Sequence, residues 1–393
     1  HATIEDMSET NPQPNPEHVI QVAVPRPLHA VYDYAIPAQL PLPAVGARIR
    51  VPFGRSETIG ICTSTEVDHP HTKLKSVLAV IDQEPMVATD LLELAQWMTT
   101  YYHHPLGEVL ATILPAAARK GAASTIDPHD FWHLTQEDFD NPRAKAQMAL
   151  VATLKEQGPT SGTVLVASGH TRATLRKLAD QDVVSRTSPP FKQDLEVGPK
   201  PNLEQRDAID KILTESHAES AHSSNYMAFL LDGITGSGKT EVYLRVIAAI
   251  IAAGRQALVL VPEIALTPQT VGRFERRFAR VGVFHSALTD HERLQTWLKC
   301  RAGEIDVLVG TRSAIFTPFR DLGVIIVDEE HDSSYKQQDG LRYSARDIAA
   351  KRAHALHLPV IFGTATPSLE SLHNAQRQRY QHLHLTARAG GAQ

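Results

Sequence analysis

The chain has 393 residues, of which 42% are hydrophobic and 21% are charged, and its formal net charge at pH 7 is −5. A chain of this length can bury two or three separate cores. No apolar run reaches the ~18 residues that a membrane-spanning helix needs, and the N-terminus lacks the basic-then-apolar pattern of a secretory signal. We therefore expect a cytoplasmic protein with no membrane partner. The charge excludes a uniformly basic surface, but a local basic groove is enough to bind nucleic acid.

The two cysteines and the 20 histidines give little sign of a metal site. Cys62 and Cys300 are far apart and neither lies in a CxxC pair, so neither a disulfide framework nor a thiolate zinc site is indicated. The paired histidines His103-His104 and His354-x-x-His357 lack the acidic or cysteine partners that a metal site requires.

The first half of the chain predicts a small β-rich domain followed by a helical module. Residues 1–17 are polar and rich in Pro and Asn, which predicts a disordered or tag-like segment. Residues 18–120 contain short strand patterns between Pro and Gly turns and end in a helical pattern. The segment 121–142 is a plausible linker. Residues 143–198 read as helix, helix and then strand, which is the outline of a winged-helix domain.

The segment 199–388 predicts a parallel sheet. Continuous apolar runs alternate here with helical patterns, as expected of strands that are covered on both faces. The predicted strands are Ala228–Asp232, Ala257–Val261, Val307–Gly310, Val324–Asp328 and Val360–Gly363. The fold class is therefore multidomain α/β.

The clearest motif is a phosphate-binding loop between a predicted strand and a predicted helix. Its glycines would let backbone N–H groups approach phosphates at a helix N-terminus, where the partial charge is positive. Lys239 should reach the β- and γ-phosphates of ATP, and the Thr240 hydroxyl should ligate Mg²⁺. A glycine turn with a chance lysine is the alternative, but the flanking strand and helix favour the nucleotide site. The cofactor-binding residues are Gly233, Gly236, Ser237, Gly238, Lys239 and Thr240.

A carboxylate pair follows the predicted strand Val324–Asp328. Asp328 is placed to hold Mg²⁺, and Glu329 to orient and deprotonate the attacking water. An acidic cluster in this position is usually a solvated loop, but together with the phosphate loop it becomes half of one site. The predicted catalytic residues are Lys239, Asp328 and Glu329.

Several further motifs follow one another in a recognisable order. The tetrad Asp328–His331 and the segment Thr364–Ser368 resemble the RecA-like motor lobe of superfamily 2 helicases. Six more segments belong to the pattern: Val261–Gln269, Val309–Phe316, Tyr335–Asp347, Tyr32–Tyr34, Val51–Gly54 and Tyr101–Gly107. Together these motifs resemble the PriA family of replication-restart helicases, which belong to superfamily 2. The resemblance runs from about residue 19 to residue 385.

The resemblance implies roles for further residues. Gln205 should contact the adenine base. Tyr32, Asp33 and Lys75 match a pocket that receives the 3′ end of a nascent strand, although Tyr32–Tyr34 could also be an ordinary edge strand with a turn.

The resemblance also implies DNA contacts within the motor lobe. Arg312 lies in a DNA-contacting motif, and the stretch 331–346 matches a loop that couples DNA contact to ATP hydrolysis. Leu341 replaces an aromatic residue that the family usually has, so Tyr335 and Tyr343 remain as the candidates for base stacking.

A basic stripe is predicted after Pro268 without reference to any family. A helix there would place Arg273, Arg276, Arg277 and Arg280 on one face. Such a stripe is often only a solvated helix surface. Our hypothesis is that Arg276 and Arg280 line a groove that follows the DNA strand.

The implied activity is that of an ATP- and Mg²⁺-dependent 3′→5′ DNA helicase that recognises stalled or recombined forks and starts primosome assembly. The implied partners are forked DNA with a nascent 3′ end, single-stranded DNA-binding protein and proteins that load the replicative helicase, in the nucleoid region of the cytoplasm. Zinc is expected only in a cysteine-rich module that the family carries and these 393 residues do not contain.

The family also has a second motor lobe with an arginine that reaches the γ-phosphate, and this sequence does not contain that lobe. Because an arginine finger typically contributes ~10³–10⁵ in rate, we expect this chain to bind ATP weakly, hydrolyse it very slowly and not unwind DNA. The alternatives are a non-catalytic fork-binding module, another superfamily 2 translocase and, less well supported, a metabolic P-loop kinase.

Overall fold

The computed structural model describes residues 18–68, 74–127, 131–136, 138–162, 165, 168–187, 195–216 and 227–388. The predicted disordered or tag-like segment 1–17 lies outside the described residues. The chain forms two compact units. The first comprises the described parts of His1–Ser124, Pro201–Thr267 and Gly282–Gln393, and the second those of Thr125–Lys200 and Pro268–Val281.

The N-terminal part of the first unit is a six-stranded sheet with strand order β5-β2-β1-β4-β3-β6. Its strands alternate between core-facing and outward-facing residues, and the inward set includes Ile20, Val22, Ile49 and Cys62. This confirms the predicted β-rich N-terminal domain. The strands are β1 His18–Ala23, β2 Tyr32–Ile36, β3 Arg48–Phe53, β4 Ser56–Ser64, β5 Lys75–Ser76 and β6 Ala79–Val80. The helices that follow are Thr89–Tyr101, Leu106–Ile113 and Ala116–Arg119.

The rest of the first unit is built on a seven-stranded sheet with order β12-β13-β11-β14-β15-β10-β16. The pairs of β10 with β15 and β16, of β11 with β13 and β14, and of β14 with β15 are parallel. This confirms the predicted parallel sheet. The strands are β10 Ala228–Gly233, β11 Gln256–Leu260, β12 Val281–Phe284, β13 Val307–Gly310, β14 Leu322–Asp328, β15 Val360–Thr364 and β16 Gln381–Leu385. The helices are Leu203–Ser216, Lys239–Ala252, Asp290–Ala302, Ala345–Ala355 and Leu369–Gln376.

The two edge strands of this sheet, β12 and β16, are absent from the sequence-based prediction. Central strands such as β11 and β13 are buried at every residue, whereas β16 is buried only at Leu383 and Leu385. An edge strand that is covered on one face has no continuous apolar run.

The second unit contains a three-stranded antiparallel sheet with order β8-β7-β9 and helices Lys145–Gln157, Arg172–Ala179 and Pro268–Arg277. Its strands are β7 Phe131–Leu134, β8 Thr160–Ser161 and β9 Val184–Thr187. The two helices and the strand predicted within 143–198 are present, and the winged-helix assignment itself stays a prediction. One expectation is corrected: the segment 121–142 is not only a linker, because it contains β7, which pairs along its whole length with β9.

The N-terminal helices contact the seven-stranded sheet's helices directly within the first unit. The buried Arg352 donates to Asp90 Oδ2 over 2.9 Å and to the carbonyl oxygens of Ile315 and Thr317 over 2.7 and 2.9 Å. The Ser344 amide donates to the Tyr102 hydroxyl oxygen over 3.2 Å. These contacts connect the domain that is expected to bind DNA with the sheet that carries the phosphate loop.

Among the helices of the described residues, none combines the length and the apolar character that crossing a bilayer demands.

Candidate nucleotide-binding site and nucleic-acid contacts

The phosphate loop joins β10 to helix Lys239–Ala252, as the sequence predicts. Gly236 and Gly238 both adopt left-handed backbone angles, with φ of 83°, which non-glycine residues rarely adopt. Gly238 caps the N-terminus of the helix, so the free N–H groups of its first turn open onto the loop. The backbone therefore has the form that binds an anion at a helix N-terminus.

Two polar side chains in the loop are suited to a phosphate. The Lys239 ammonium donates to the Gly233 carbonyl oxygen over 2.6 Å, inside the loop itself. The Ser237 side chain is almost fully buried, and its Oγ has no hydrogen-bond partner among the described residues. A buried hydroxyl without a partner is costly, and a phosphate oxygen would satisfy it. The residues present thus fit the phosphates of a nucleotide.

The predicted carboxylate pair lies at the C-terminal end of β14. Asp328 Oδ1 accepts a hydrogen bond of 3.0 Å from the Tyr243 hydroxyl. Burial raises the pKa of Asp328, and the neighbouring Glu329 charge raises it further, whereas the Tyr243 hydrogen bond and the Lys239 ammonium oppose that rise. A Mg²⁺ ion beside this carboxylate would favour its ionised form. Thr240, the other predicted Mg²⁺ ligand, lies in the first turn of the phosphate-loop helix.

Glu329 has an unusual backbone for its residue type. Its φ is 47°, in the left-handed region that is strained for a non-glycine residue. Its carboxylate lies 3.6 Å from His331 Nδ1, and that nitrogen lies 2.7 Å from Thr364 Oγ1. Glu329 therefore follows β14 directly, and His331 next to it contacts Thr364, the last residue of β15.

Glu330 connects the carboxylate segment to the segment Thr364–Ser368. Its buried carboxylate accepts from the Ser368 amide over 2.7 Å and from the hydroxyls of Ser368 and Ser371 over 3.0 and 2.9 Å. The Arg346 guanidinium is the fourth donor to this carboxylate, over 3.2 Å. The sequence-based assignment gave Glu330 no role, although its position directly after two predicted catalytic residues was a usable signal.

Tyr243 is a second residue of the site that sequence reasoning missed. It lies one helical turn after Lys239, so both side chains project from the same face of the helix. Its hydroxyl oxygen lies so close to Gly363 that a Cβ atom at Gly363 would overlap it. The sequence did carry a signal for Tyr243, because it lies four residues after the predicted Lys239.

Gln205, the residue predicted to contact adenine, lies against the phosphate loop. Its Nε2 donates to the Ser237 carbonyl oxygen over 2.8 Å, and its Oε1 accepts from the Asn202 amide over 2.9 Å. The amide group therefore has protein partners on both sides. A contact with adenine stays a prediction and would have to use the remaining N–H of Nε2.

The predicted base-stacking role of two tyrosines is wrong for this conformation. Tyr335 and Tyr343 are each only 3% exposed. The Tyr335 hydroxyl donates to the carbonyl oxygens of Asp328 and Leu260, over 2.6 and 3.0 Å, and burial raises the pKa of Tyr343 to about 12. Arg312 supports the same loop, since it donates to the Ser334 carbonyl oxygen over 2.8 Å. These rings are packing residues that use their hydroxyl groups internally.

The predicted arginine stripe is shorter than expected. Helix Pro268–Arg277 ends before Arg280, so Arg280 does not share a helical face with Arg276. Arg276 lies 3.4 Å from Glu196, and both side chains are more than half exposed. A role in DNA binding stays a prediction for both arginines.

The residues predicted to receive a 3′ end lie on two adjacent strands of the N-terminal sheet, Tyr32 and Asp33 on β2 and Lys75 on β5. Tyr32 on β2 packs edge-to-face on Phe53 with 5.2 Å between ring centroids, and Lys75 reaches the Gly54 carbonyl oxygen at 3.5 Å. Side chains alternate along β2, so Asp33 points to the opposite face from Tyr32. The structure thus brings Tyr32 and Lys75 to the same loop and places Asp33 on the other face of the strand.

Comparisons with known proteins agree with this arrangement. The family model for the 3′DNA-binding domain (3′BD) of PriA matches residues 21–115, and the model for DEAD/DEAH box helicases matches residues 202–375. A protein named Replication restart protein PriA from Haemophilus influenzae is 40% identical over 384 residues, which cover 95% of this chain and 52% of the relative. The protein of the same name from Bacillus subtilis is 50% identical over 186 residues, or 47% of this chain and 22% of the relative.

Among solved structures, RecG bound to a three-way DNA junction is similar over 56% of this chain and 26% of that chain, with 25% identity and a TM-score of 0.38. The chain spans about half the length of the relatives that match it from end to end, at 52% and 51% for the first two. This chain thus matches the 3′DNA-binding domain of PriA over residues 21–115 and the DEAD/DEAH box helicase domain over residues 202–375, and along nearly its whole length it is similar to part of replication restart protein PriA.

Proposed function

We propose that this chain is the fork-binding and ATP-binding part of a 3′→5′ DNA helicase that restarts replication at stalled or recombined forks. The main support is that one compact unit contains both the 3′DNA-binding domain and the phosphate-loop sheet. The buried Arg352, which belongs to the phosphate-loop part, donates a hydrogen bond to Asp90 in the 3′DNA-binding part. DNA binding in the 3′DNA-binding part would therefore act on the phosphate-loop part through a direct contact.

The phosphate loop and the end of β14 would act together on a nucleotide. Lys239 and the N–H groups after Gly236 would bind the phosphates. Thr240 and Asp328 would hold the metal ion, and Glu329 would orient a water molecule and accept its proton. Bound ATP would supply the phosphoryl group, and the Mg²⁺ ion would neutralise the charge that develops on it.

The proposed substrate is a fork with a nascent 3′ end. Tyr32 and Lys75 would receive that end, and Arg276, Arg280 and Arg312 would contact the DNA strand. Single-stranded DNA-binding protein and proteins that load the replicative helicase would be the partners, at the nucleoid in the cytoplasm.

We also propose that the 393-residue chain turns over ATP slowly when it is alone. The residues that the structure describes form one phosphate-loop sheet, and the γ-phosphate arginine of the family lies on a second motor lobe. Without an arginine finger, the rate is expected to fall by ~10³–10⁵. A second candidate function is a fork-binding module that does not hydrolyse ATP, and it rests on the same argument about the arginine finger.

The test measures binding and ATP hydrolysis with matched forks that end in a 3′-hydroxyl or a 3′-phosphate. The proposal predicts tighter binding of the 3′-hydroxyl fork by wild type, weaker binding of that fork by Lys75→Ala, and wild-type binding by the exposed control Lys211→Ala. Equal affinity for both forks would favour another superfamily 2 translocase. Rapid DNA-stimulated hydrolysis by the chain alone would refute the proposal of slow turnover.

A further inference from the structure

A cluster of two histidines and one aspartate lies on the edge of the seven-stranded sheet, outside the nucleotide site. His382 and His384 are alternate residues of the edge strand β16, so both project from the same face. Asp232 is the register partner of His384 on the adjacent parallel strand β10. All three side chains therefore meet on one face of the sheet.

The distances between their ligand atoms match a small metal ion. Asp232 Oδ2 lies 3.3 Å from His382 Nε2 and 3.6 Å from His384 Nδ1, and one ligand atom from each residue lies within 4.8 Å of the others. Two ligands at 2.0–2.1 Å from a tetrahedral Zn²⁺ ion are separated by about 3.3 Å. The His382–Asp232 distance also fits a hydrogen bond, whereas the 3.6 Å between His384 and Asp232 is too long for one.

The two imidazoles are also unusually close to each other. Their ring centroids are 3.7 Å apart with an interplanar angle of 40°. The side chains of Asp232 and His382 are about a quarter exposed and that of His384 is 56% exposed, so an ion can reach them from solvent.

This cluster is separate from the proposed Mg²⁺ site. Asp232 is in register with Thr364 on β15, whereas Asp328 is in register with Gly363, the preceding residue. Because side chains alternate along a strand, Asp232 and Asp328 point to opposite faces of the sheet. Two imidazole nitrogens and one carboxylate oxygen also favour a transition-metal ion, whereas Mg²⁺ prefers an all-oxygen set.

We propose that Asp232, His382 and His384 form a Zn²⁺-binding site, with water as the fourth ligand. The bound ion would fasten the edge strand β16 to β10 immediately before Gly233, the first residue of the phosphate loop. Its role would be structural, and it is independent of the proposed helicase function. It also differs from the sequence-based expectation that zinc lies only in a cysteine-rich module elsewhere.

The test is a Zn²⁺ titration of the chelator-treated chain in competition with a chromophoric chelator. The wild-type chain and the exposed-histidine control His373→Gln should each bind one equivalent with micromolar or tighter affinity. The variant His382→Gln/His384→Gln should lose that equivalent, with an affinity at least about 100-fold weaker. Zn²⁺ should raise the thermal midpoint of wild-type chain by a few °C and leave that of the double variant unchanged.

Equal stoichiometry and affinity in the wild-type chain and the double variant would overturn the proposal, as would the absence of a bound equivalent in wild type. If the double variant does not fold, the test is instead made on the wild-type chain with Co²⁺ in place of Zn²⁺. The proposal requires the intense visible absorption of a tetrahedral Co²⁺ site, and Asp232→Asn should change that spectrum. Only the weak absorption of hydrated, octahedral Co²⁺ would overturn it.

Discussion

Replacing Glu330 by Gln tests whether the buried carboxylate network holds the end of β14 to the segment Thr364–Ser368. The Glu330 side chain is fully buried and accepts from four donors, on Ser368, Ser371 and Arg346. Gln has nearly the same shape, but its NH₂ group must face donors on one side or the other. The substitution therefore removes the charge and leaves at least one donor facing another donor.

The expected loss is about 3 kcal/mol, at the low end of the ~3–5 kcal/mol for breaking a buried ion pair, because Arg346 keeps some solvent contact. The Arg346 side chain is 21% exposed. At about 2–4 °C per kcal/mol, the thermal midpoint should fall by on the order of 10 °C.

Glu370 offers a control on the same arginine. Its carboxylate lies 4.0 Å from Arg346 and its side chain is 70% exposed, so Glu370→Gln removes one charge from a solvated pair. An exposed pair contributes about 0–1 kcal/mol. The assay is thermal unfolding of both variants by circular dichroism at the same pH and salt concentration. Midpoints that fall equally in Glu330→Gln and Glu370→Gln would refute the reasoning.

Three further variants test other contacts. Tyr243→Phe removes the hydrogen bond that favours the ionised form of Asp328, so the pKa of Asp328, which burial already raises, should rise further. Mg²⁺·ATP binding needs the ionised carboxylate, so as the pH is lowered it should fail at a higher pH than in wild type. An unchanged pH profile of binding would contradict this. Ser237→Ala removes a buried hydroxyl that has no hydrogen-bond partner among the described residues, so the thermal midpoint should stay the same or rise slightly. The affinity for ATP, measured by calorimetry, should fall about tenfold, which corresponds to one hydrogen bond to a charged phosphate. Unchanged affinity would show that the hydroxyl does not contact a phosphate. Arg352→Met removes one hydrogen bond to Asp90 on helix Thr89–Tyr101 and two to the carbonyl oxygens of Ile315 and Thr317. It should lower the thermal midpoint by several °C more than Asp90→Asn does, because it leaves two buried carbonyl oxygens without donors. Equal effects in thermal unfolding would contradict that.

The sequence was sufficient for the parts of the fold that depend on local pattern. Continuous apolar runs identified the central strands, and the spacing of Gly233 to Thr240 identified the phosphate loop between β10 and its helix. Asp328 and Glu329 followed from the same logic, since carboxyl ends of parallel strands meet at one edge of a sheet. These signals are local because each depends on the period of one strand or the geometry of one turn.

The errors lie where tertiary contacts decide. The tyrosine pattern of the loop 335–343 is compatible with base stacking or with packing, and only the fold shows that the Tyr335 hydroxyl bonds to the Asp328 carbonyl oxygen. Strand β7 is four residues long and is stabilised by pairing with β9, which lies about fifty residues later. Arg280 was assigned to a helix that ends at Arg277, where no Gly or Pro marks the boundary.

The edge strand β16 shows the same limit for a functional site. Its pattern of alternating polar and apolar residues is typical of a half-buried strand, and His382 and His384 are two residues apart on it. That spacing was a usable signal for a shared face. The aspartate partner could not be assigned, because Asp232 lies 150 residues earlier and meets His382 only through the parallel pairing of β10 and β16.

The most direct test of the central claim is calorimetric binding of a non-hydrolysable ATP analogue, with and without Mg²⁺, to wild type, Lys239→Ala and Asp328→Asn. The account predicts Mg²⁺-dependent binding in wild type, a loss of affinity of about tenfold or more in Lys239→Ala, and loss of the Mg²⁺ dependence in Asp328→Asn. Binding in Asp328→Asn that keeps the wild-type dependence on Mg²⁺ would contradict the assignment of the phosphate loop and the end of β14 to one nucleotide site.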